Sequence, residues 1–311
     1  MSAIYSRGQQ LAKALSALLV VLSAATLLTV VVQLVIAALG GAAPDAGWAL
    51  LAPVCVALAV WSRSSSGLPP LLSAEGEAPH RRRVRAVWCL LFGGFLLVAG
   101  LKLGSADVDA YKRLVFGEGG LVEWTQVLIL GASVRAAWLI GGDLDRRLVE
   151  RVPGFVARGC SLLLALVLLE ELAWGQVIFG WRTPETLREI NAQNETTLHN
   201  IDWFQERLDS GYFLVTVLIL VVVVLAPRLL RQLGQRCSEP MARVLNALSP
   251  AAYGWPLFLA VAVLAFSIAT RSLSDVILNR DQEWGELLLY GALLLGLLRT
   301  RVLLGPVQHA P

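Results

Sequence analysis

Apolar residues along this chain gather into long unbroken runs; they neither alternate with polar ones nor confine themselves to one stripe of a helix. The runs lie near 14–40, 46–61, 86–103, 121–141, 155–179, 211–226, 252–269 and 283–298. Apart from the shorter 46–61 stretch, each reads as long enough to cross ~30 Å of hydrocarbon as a helix. The pattern predicts an all-α fold: a polytopic transmembrane helix bundle of about eight helices, forming one integral membrane domain over 1–311. Arg7 and Lys13 precede the first run as in a signal peptide, but the run is too long for a cleaved signal core and reads as a retained helix.

The polar intervals carry the topology. Most of the 26 Lys and Arg residues fall at the N-terminus, in 62–85, 142–158 and 227–250, and at the C-terminus, so every second loop is arginine-rich. Positive charge is retained in the cytoplasm, which places both termini there and requires an even number of crossings, 46–61 included. Arg135, inside the fourth run, lies close enough to the inner end to snorkel. Ser64 to Ser66, Gly67, Pro69 and Pro70 mark 62–80 as a cytoplasmic loop. Of all residues 56% are hydrophobic and 16% charged, and the net charge of +3 is small, so membrane lipid is the expected surrounding and nucleic acid is excluded as a partner. Lysine is scarce (Lys13, Lys102, Lys112) and alanine and leucine abound, a bias associated with GC-rich bacterial genomes; the expected location is a bacterial inner membrane. Cys55, Cys89, Cys160 and Cys237 have no paired or metal-type spacing.

The longest extracytoplasmic segment, 180–210, has helix signals of its own. Thr183 and Pro184 suit a helix start, followed by Leu187 and Ile190, which predicts a short interfacial helix. From about Asn194 a second helix is expected, with Leu198, Ile201, Phe204 and Leu208 as its apolar stripe and Glu195, His199, Asp202 and Glu206 on the other face.

Candidate chemistry concentrates at the same end. Glu170 and Glu171 fall within the fifth run, roughly 12 Å inside its outer end and so away from the membrane surface. A charged carboxylate in hydrocarbon costs at least ~2.5 kcal/mol, so these acids should face the bundle interior and be protonated, paired or coordinated. A network of the two acids with Gln176 that merely locks helices together is the structural alternative. Glu118 and Glu123 enter the fourth run and Glu283 and Glu286 the eighth; Glu283 and Glu286 share a helix face, as do Glu123 and Gln126. Glu123 and Glu283 would also be stabilised simply by helix N-termini, by ~0.3–1 kcal/mol. Carboxylates with a neutral imidazole suit a divalent metal or proton transfer, so Glu123, Glu170, Glu171, Glu195, His199 and Glu286 form the candidate metal set, with Glu170, Glu171 and His199 as candidate catalytic groups. For Glu195 and His199 a solvated polar face is the favoured single explanation, since charged helix faces are usually just wet. Trp124, Trp174 and Trp284 beside these acids read as an interfacial aromatic belt.

Glu170, Glu171, Trp174, Gly175 and Gln176, then Gly180, Trp181, Thr183, Pro184, Glu185, Asn191, Gln193, Glu195, Leu198, His199 and Asn200, together resemble a pattern in bacterial multi-pass membrane proteins without assigned function. The resemblance covers roughly 30 residues and implies no reaction. No nucleophilic Ser/His/Asp order, phosphate-binding glycine loop or aspartate array of the CDP-alcohol type is present. The expectation is an extracytoplasmic carboxylate/histidine site, metal-dependent, acting on a lipid or lipid-linked envelope substrate. A proton-coupled transporter and a non-catalytic membrane partner are the alternatives.

Overall fold

Helices occupy each of the eight apolar runs. The computed structural model describes residues 2–39, 46–63, 71, 80–105, 107–116, 121–148, 151–189, 196–197, 201–272 and 281–304. The helices are α1 (Ser2–Ala38), α2 (Ala46–Arg63), α3 (His80–Gly104), α4 (Val108–Phe116), α5 (Leu121–Asp145), α6 (Val152–Glu171), α7 (Asp202–Gly234), α8 (Glu239–Leu248), α9 (Trp255–Ala269) and α10 (Gln282–Leu304). Among the described residues there are 7 helices long and apolar enough to cross a membrane, α8 and α9 counting together as Met241–Ala269, and the apolar part of α2, Ala52–Arg63, is a shorter one. The chain is a multi-pass helical membrane protein.

It divides into two compact units, Met1–Leu114 and Val115–Pro311. In the first, α2 packs on both α1 and α3. In the second, neighbouring helices follow the order α6, α5, α10, α9, α7, and α8 packs on α7 and α10. The α5–α6 crossing is close because it is made through glycine: a Cβ on Gly154 would lie 2.9 Å from the Gly141 carbonyl oxygen, and a Cβ on Gly141 would lie 2.9 Å from that of Gly154. Beside it, Arg158 pairs with Asp145 at 2.5 Å and lies over the Trp138 ring, and the Ser161 hydroxyl donates to the Val134 carbonyl.

At the end of this unit that carries Arg146 and Arg147, a core forms from Ile140, Leu144, Leu148, Val244, Ala247 and Leu304. The last carbonyls of a helix have no partner within it. Those of α8 are met from α10: Arg299, 2% exposed, donates Nη1 to the Ser249 carbonyl at 2.7 Å, and the Thr300 hydroxyl donates to the Ala247 carbonyl at 3.0 Å.

Two expectations change at the opposite end. The run read as 155–179 is not one helix: α6 stops at Glu171, a turn over Ala173–Gly175 follows, and then a single helical turn, Gln176–Phe179. Glu170 and Glu171 therefore end the span and do not lie deep within a longer one. The helix expected from Asn194 begins only at Asp202, because Ile201 is extended (φ −69°, ψ 128°), and from Asp202 it runs without interruption into the membrane span. Glu195 and His199 are outside the described residues. The interfacial helix predicted after Pro184 is a single turn, Glu185–Arg188.

Candidate functional site

The acids of three helices meet at the end of the second unit remote from Arg299. Glu123 lies in the first turn of α5, Glu283 in the first turn of α10 with Glu286 one turn on, and Glu170 and Glu171 close α6. The charges of Glu283, Glu123 and Glu170 all act on Glu171, and those of Glu283 and Glu286 act on Tyr212 of α7. Specific bonds hold the group. The Tyr290 hydroxyl of α10 donates to Glu171 Oε1 at 2.8 Å, joining α10 to the end of α6. Gln126 is fully buried, and its Nε2 donates to the Glu283 carbonyl oxygen at 3.1 Å and to Glu283 Oε2 at 3.2 Å, joining α5 to α10. Gln282 Nε2 donates to Glu286 Oε1 at 3.0 Å.

Two buried polar atoms in this layer have no hydrogen-bond partner among the described residues: Gln126 Oε1 and the Tyr212 hydroxyl. Such atoms usually cost about 1–3 kcal/mol each when they stay unpaired. Gly285 makes room for Tyr212, since a Cβ there would stand 2.9 Å from that hydroxyl.

The turn after Glu171 is strained. Ala173 (φ 45°), Trp174 (φ 55°) and Gly175 (φ 100°) are all left-handed in succession, a conformation that L side chains rarely adopt and that costs about 1–3 kcal/mol at each non-glycine residue. It ends α6 immediately beyond the two acids and brings Trp174 back so that its Nε1 donates to Glu170 Oε1 at 2.5 Å. A Cβ on Gly175 would meet the Trp181 ring at 2.9 Å, and Phe179 and Trp181 stack with centroids 5.5 Å apart. Gln176 then organises the following loop: its Nε2 donates to Thr183 Oγ1, and its Oε1 accepts from both the backbone N–H and the hydroxyl of Thr196 at 2.8 Å each.

Of the six candidate metal ligands, Glu123, Glu170, Glu171 and Glu286 are thus placed in one unit, and Glu195 and His199 fall outside the described residues. Among the described residues, no group of three or more His, Cys, Asp or Glu side chains is arranged to hold a metal ion. Sequence reasoning passed over Tyr212 and Tyr290. Tyr290 is four residues beyond Glu286 and seven beyond Glu283, so its place on the acidic face of α10 could have been read from spacing alone.

Below Tyr290 the same helices enclose an apolar groove of about 790 Å³. All five helices of the row contribute, for example Ala137, Leu164, Val222, Phe258 and Leu293, and its two end helices, α6 and α7, both form walls. Tyr290 lines it, as do Ser249 and Thr300. Fold and site together describe a multi-pass membrane protein whose bundle joins a layer of carboxylates and tyrosines to an apolar groove. No protein-family model matches the chain, and no match was found among curated proteins or solved structures.

Proposed function

We propose that this protein is a membrane-embedded enzyme acting on a lipid or lipid-linked envelope substrate. Its reacting groups lie at the carboxylate layer, which faces away from the cytoplasm. The single observation that carries the reading is the double role of Tyr290: its side chain lines the apolar groove while its hydroxyl holds Glu171. A substrate with its hydrocarbon part in the groove would present its polar part to Glu171 and Glu170, groups suited to general acid–base work. Glu195 and His199, together with these carboxylates, would supply the ligands of a divalent metal in a metal-dependent form of the same reaction. A proton-coupled carrier ranks below this, because the groove wall between Tyr290 and Thr300 along α10 is apolar and offers a proton no path there.

The test compares lipid extracts of cells making the native protein or Glu171→Gln, with the metal content of native, Glu171→Gln and His199→Ala protein measured alongside. One lipid species is expected to differ by about a hundredfold in conversion rate, the scale of a lost acid–base group. Identical extracts would overturn the enzyme reading, and metal-free native protein that is fully active would remove its metal-dependent form.

A further inference from the structure

The face of α10 that runs inward from the acids has the layout of an amphiphile. Glu286, Tyr290, Leu293 and Thr300 follow one another at spacings of three, four and seven, so they form a single stripe, with Gly296 at its edge. Tyr290, Leu293, Gly296 and Thr300 all line the groove. From Tyr290 to Thr300 the stripe descends ten residues, about 15 Å at helical rise, which is half of the ~30 Å hydrocarbon core and hence the depth of one leaflet. Within the bilayer, the abundant apolar species of that length is a lipid chain. At its upper end the groove is walled by Tyr290, whose hydroxyl holds Glu171, and carboxylates repel phosphate and attract cations. Glu171 uses one acceptor site for Tyr290, and an ionised carboxylate has about four. Independently, Gln126, fully buried and bonded into the same layer through Glu283, has an oxygen that receives no donor among the described residues. An ammonium group brings three donors and no acceptor.

We propose that the groove houses one hydrocarbon chain of an amine-bearing membrane lipid, with its ammonium among the carboxylates above Tyr290. This narrows the substrate class of the proposed enzyme and rests on that reading for the site's role.

The full chain, purified in detergent with a chelator present, would be offered phosphatidylethanolamine and phosphatidylglycerol of identical chains, and retained lipid counted by native mass spectrometry. Native protein should keep the amine lipid about tenfold better, equivalent to ~1.4 kcal/mol. Gly296 lines the groove, and a Cβ added to it would meet nothing within 4 Å, so Gly296→Trp fills the groove without a backbone clash and should lose both lipids. Gly291 is equally open but is not part of the groove wall, so Gly291→Trp should retain lipid as native protein does. Leu293→Asn, which makes the wall polar, should repeat the loss if Gly296→Trp does not fold. Glu171→Gln should keep lipid while levelling the preference. Retention by Gly296→Trp or Leu293→Asn at the native level overturns the proposal, as does equal retention of the two lipids or a preference for phosphatidylglycerol by native protein. Because no turnover is measured, an inert protein that binds as described removes the enzyme and keeps the groove. An active protein indifferent to Gly296→Trp does the reverse.

Discussion

Replacing Tyr290 with Phe removes one oxygen and leaves the ring in the groove wall, so it isolates the bond that joins α10 to the end of α6. The hydroxyl lies 2.8 Å from Glu171 Oε1, a good geometry for an O–H donor. Such a bond contributes about 1 kcal/mol to a neutral acceptor and about 1.5–3 kcal/mol to a charged one. Tyr290→Phe should therefore destabilise the protein by about 1–3 kcal/mol. At about 2–4 °C per kcal/mol for units of this size, thermal unfolding in detergent, followed by tryptophan fluorescence, should move down by several degrees. Because Gln could still accept the bond, the matching variant is Glu171→Ala. If the two side chains act as a pair, the double variant should be less destabilised than the sum of the single variants, with a coupling energy of about 1–2 kcal/mol. Additivity within ~0.5 kcal/mol would refute the idea that Tyr290 acts through Glu171.

Two further outcomes follow from the packing and from the charge pattern. Gly154→Ala should cost about 1–3 kcal/mol, because the new methyl would meet the Gly141 carbonyl, which as backbone cannot rotate away; an unchanged melting temperature would show that α5 and α6 do not cross this closely. Cys237, exposed in the turn between α7 and α8, should react with a membrane-impermeant maleimide in inside-out vesicles and not in intact cells, and the opposite result would invert the orientation drawn from the arginine-rich loops.

Hydropathy revealed the helices because lipid-facing residues such as Phe92, Leu163 and Leu218 must be apolar whatever the protein does. It could not reveal where α6 ends. Leu172, Ala173, Trp174, Val177, Ile178 and Phe179 continue the apolar run, while the backbone leaves the helix through three left-handed residues of which only Gly175 signals the turn. Apolarity reports the surroundings of a segment, and a strained turn at the interface has the same surroundings as the helix before it. The helix Glu239–Leu248 shows the converse. Pro240 in its first turn and the inward pair Val244 and Ala247 are helix signals, set within an arginine-bearing interval that charge alone reads as loop.

The acids were legible as residues and illegible as a site, for a reason that lies in how the site is built. Each carboxylate has a local explanation: Glu123 and Glu283 suit helix N-termini, and Glu170 and Glu171 end a helix beside interfacial tryptophans. What a local explanation does not require is Gln126, a fully buried amide bonded across to α10, or a tyrosine hydroxyl on Glu171 from a helix more than a hundred residues away. Those bonds need α5, α6 and α10 in fixed register, and the register is set far below, where Gly141 meets Gly154 and where Arg299 and Thr300 cap α8. The same helices that fix the acids form the walls of the groove. The groove and the tethered acids are therefore two results of one arrangement of helices, and α10, which carries Glu286, Tyr290 and Leu293 on a single stripe, is the element that joins them.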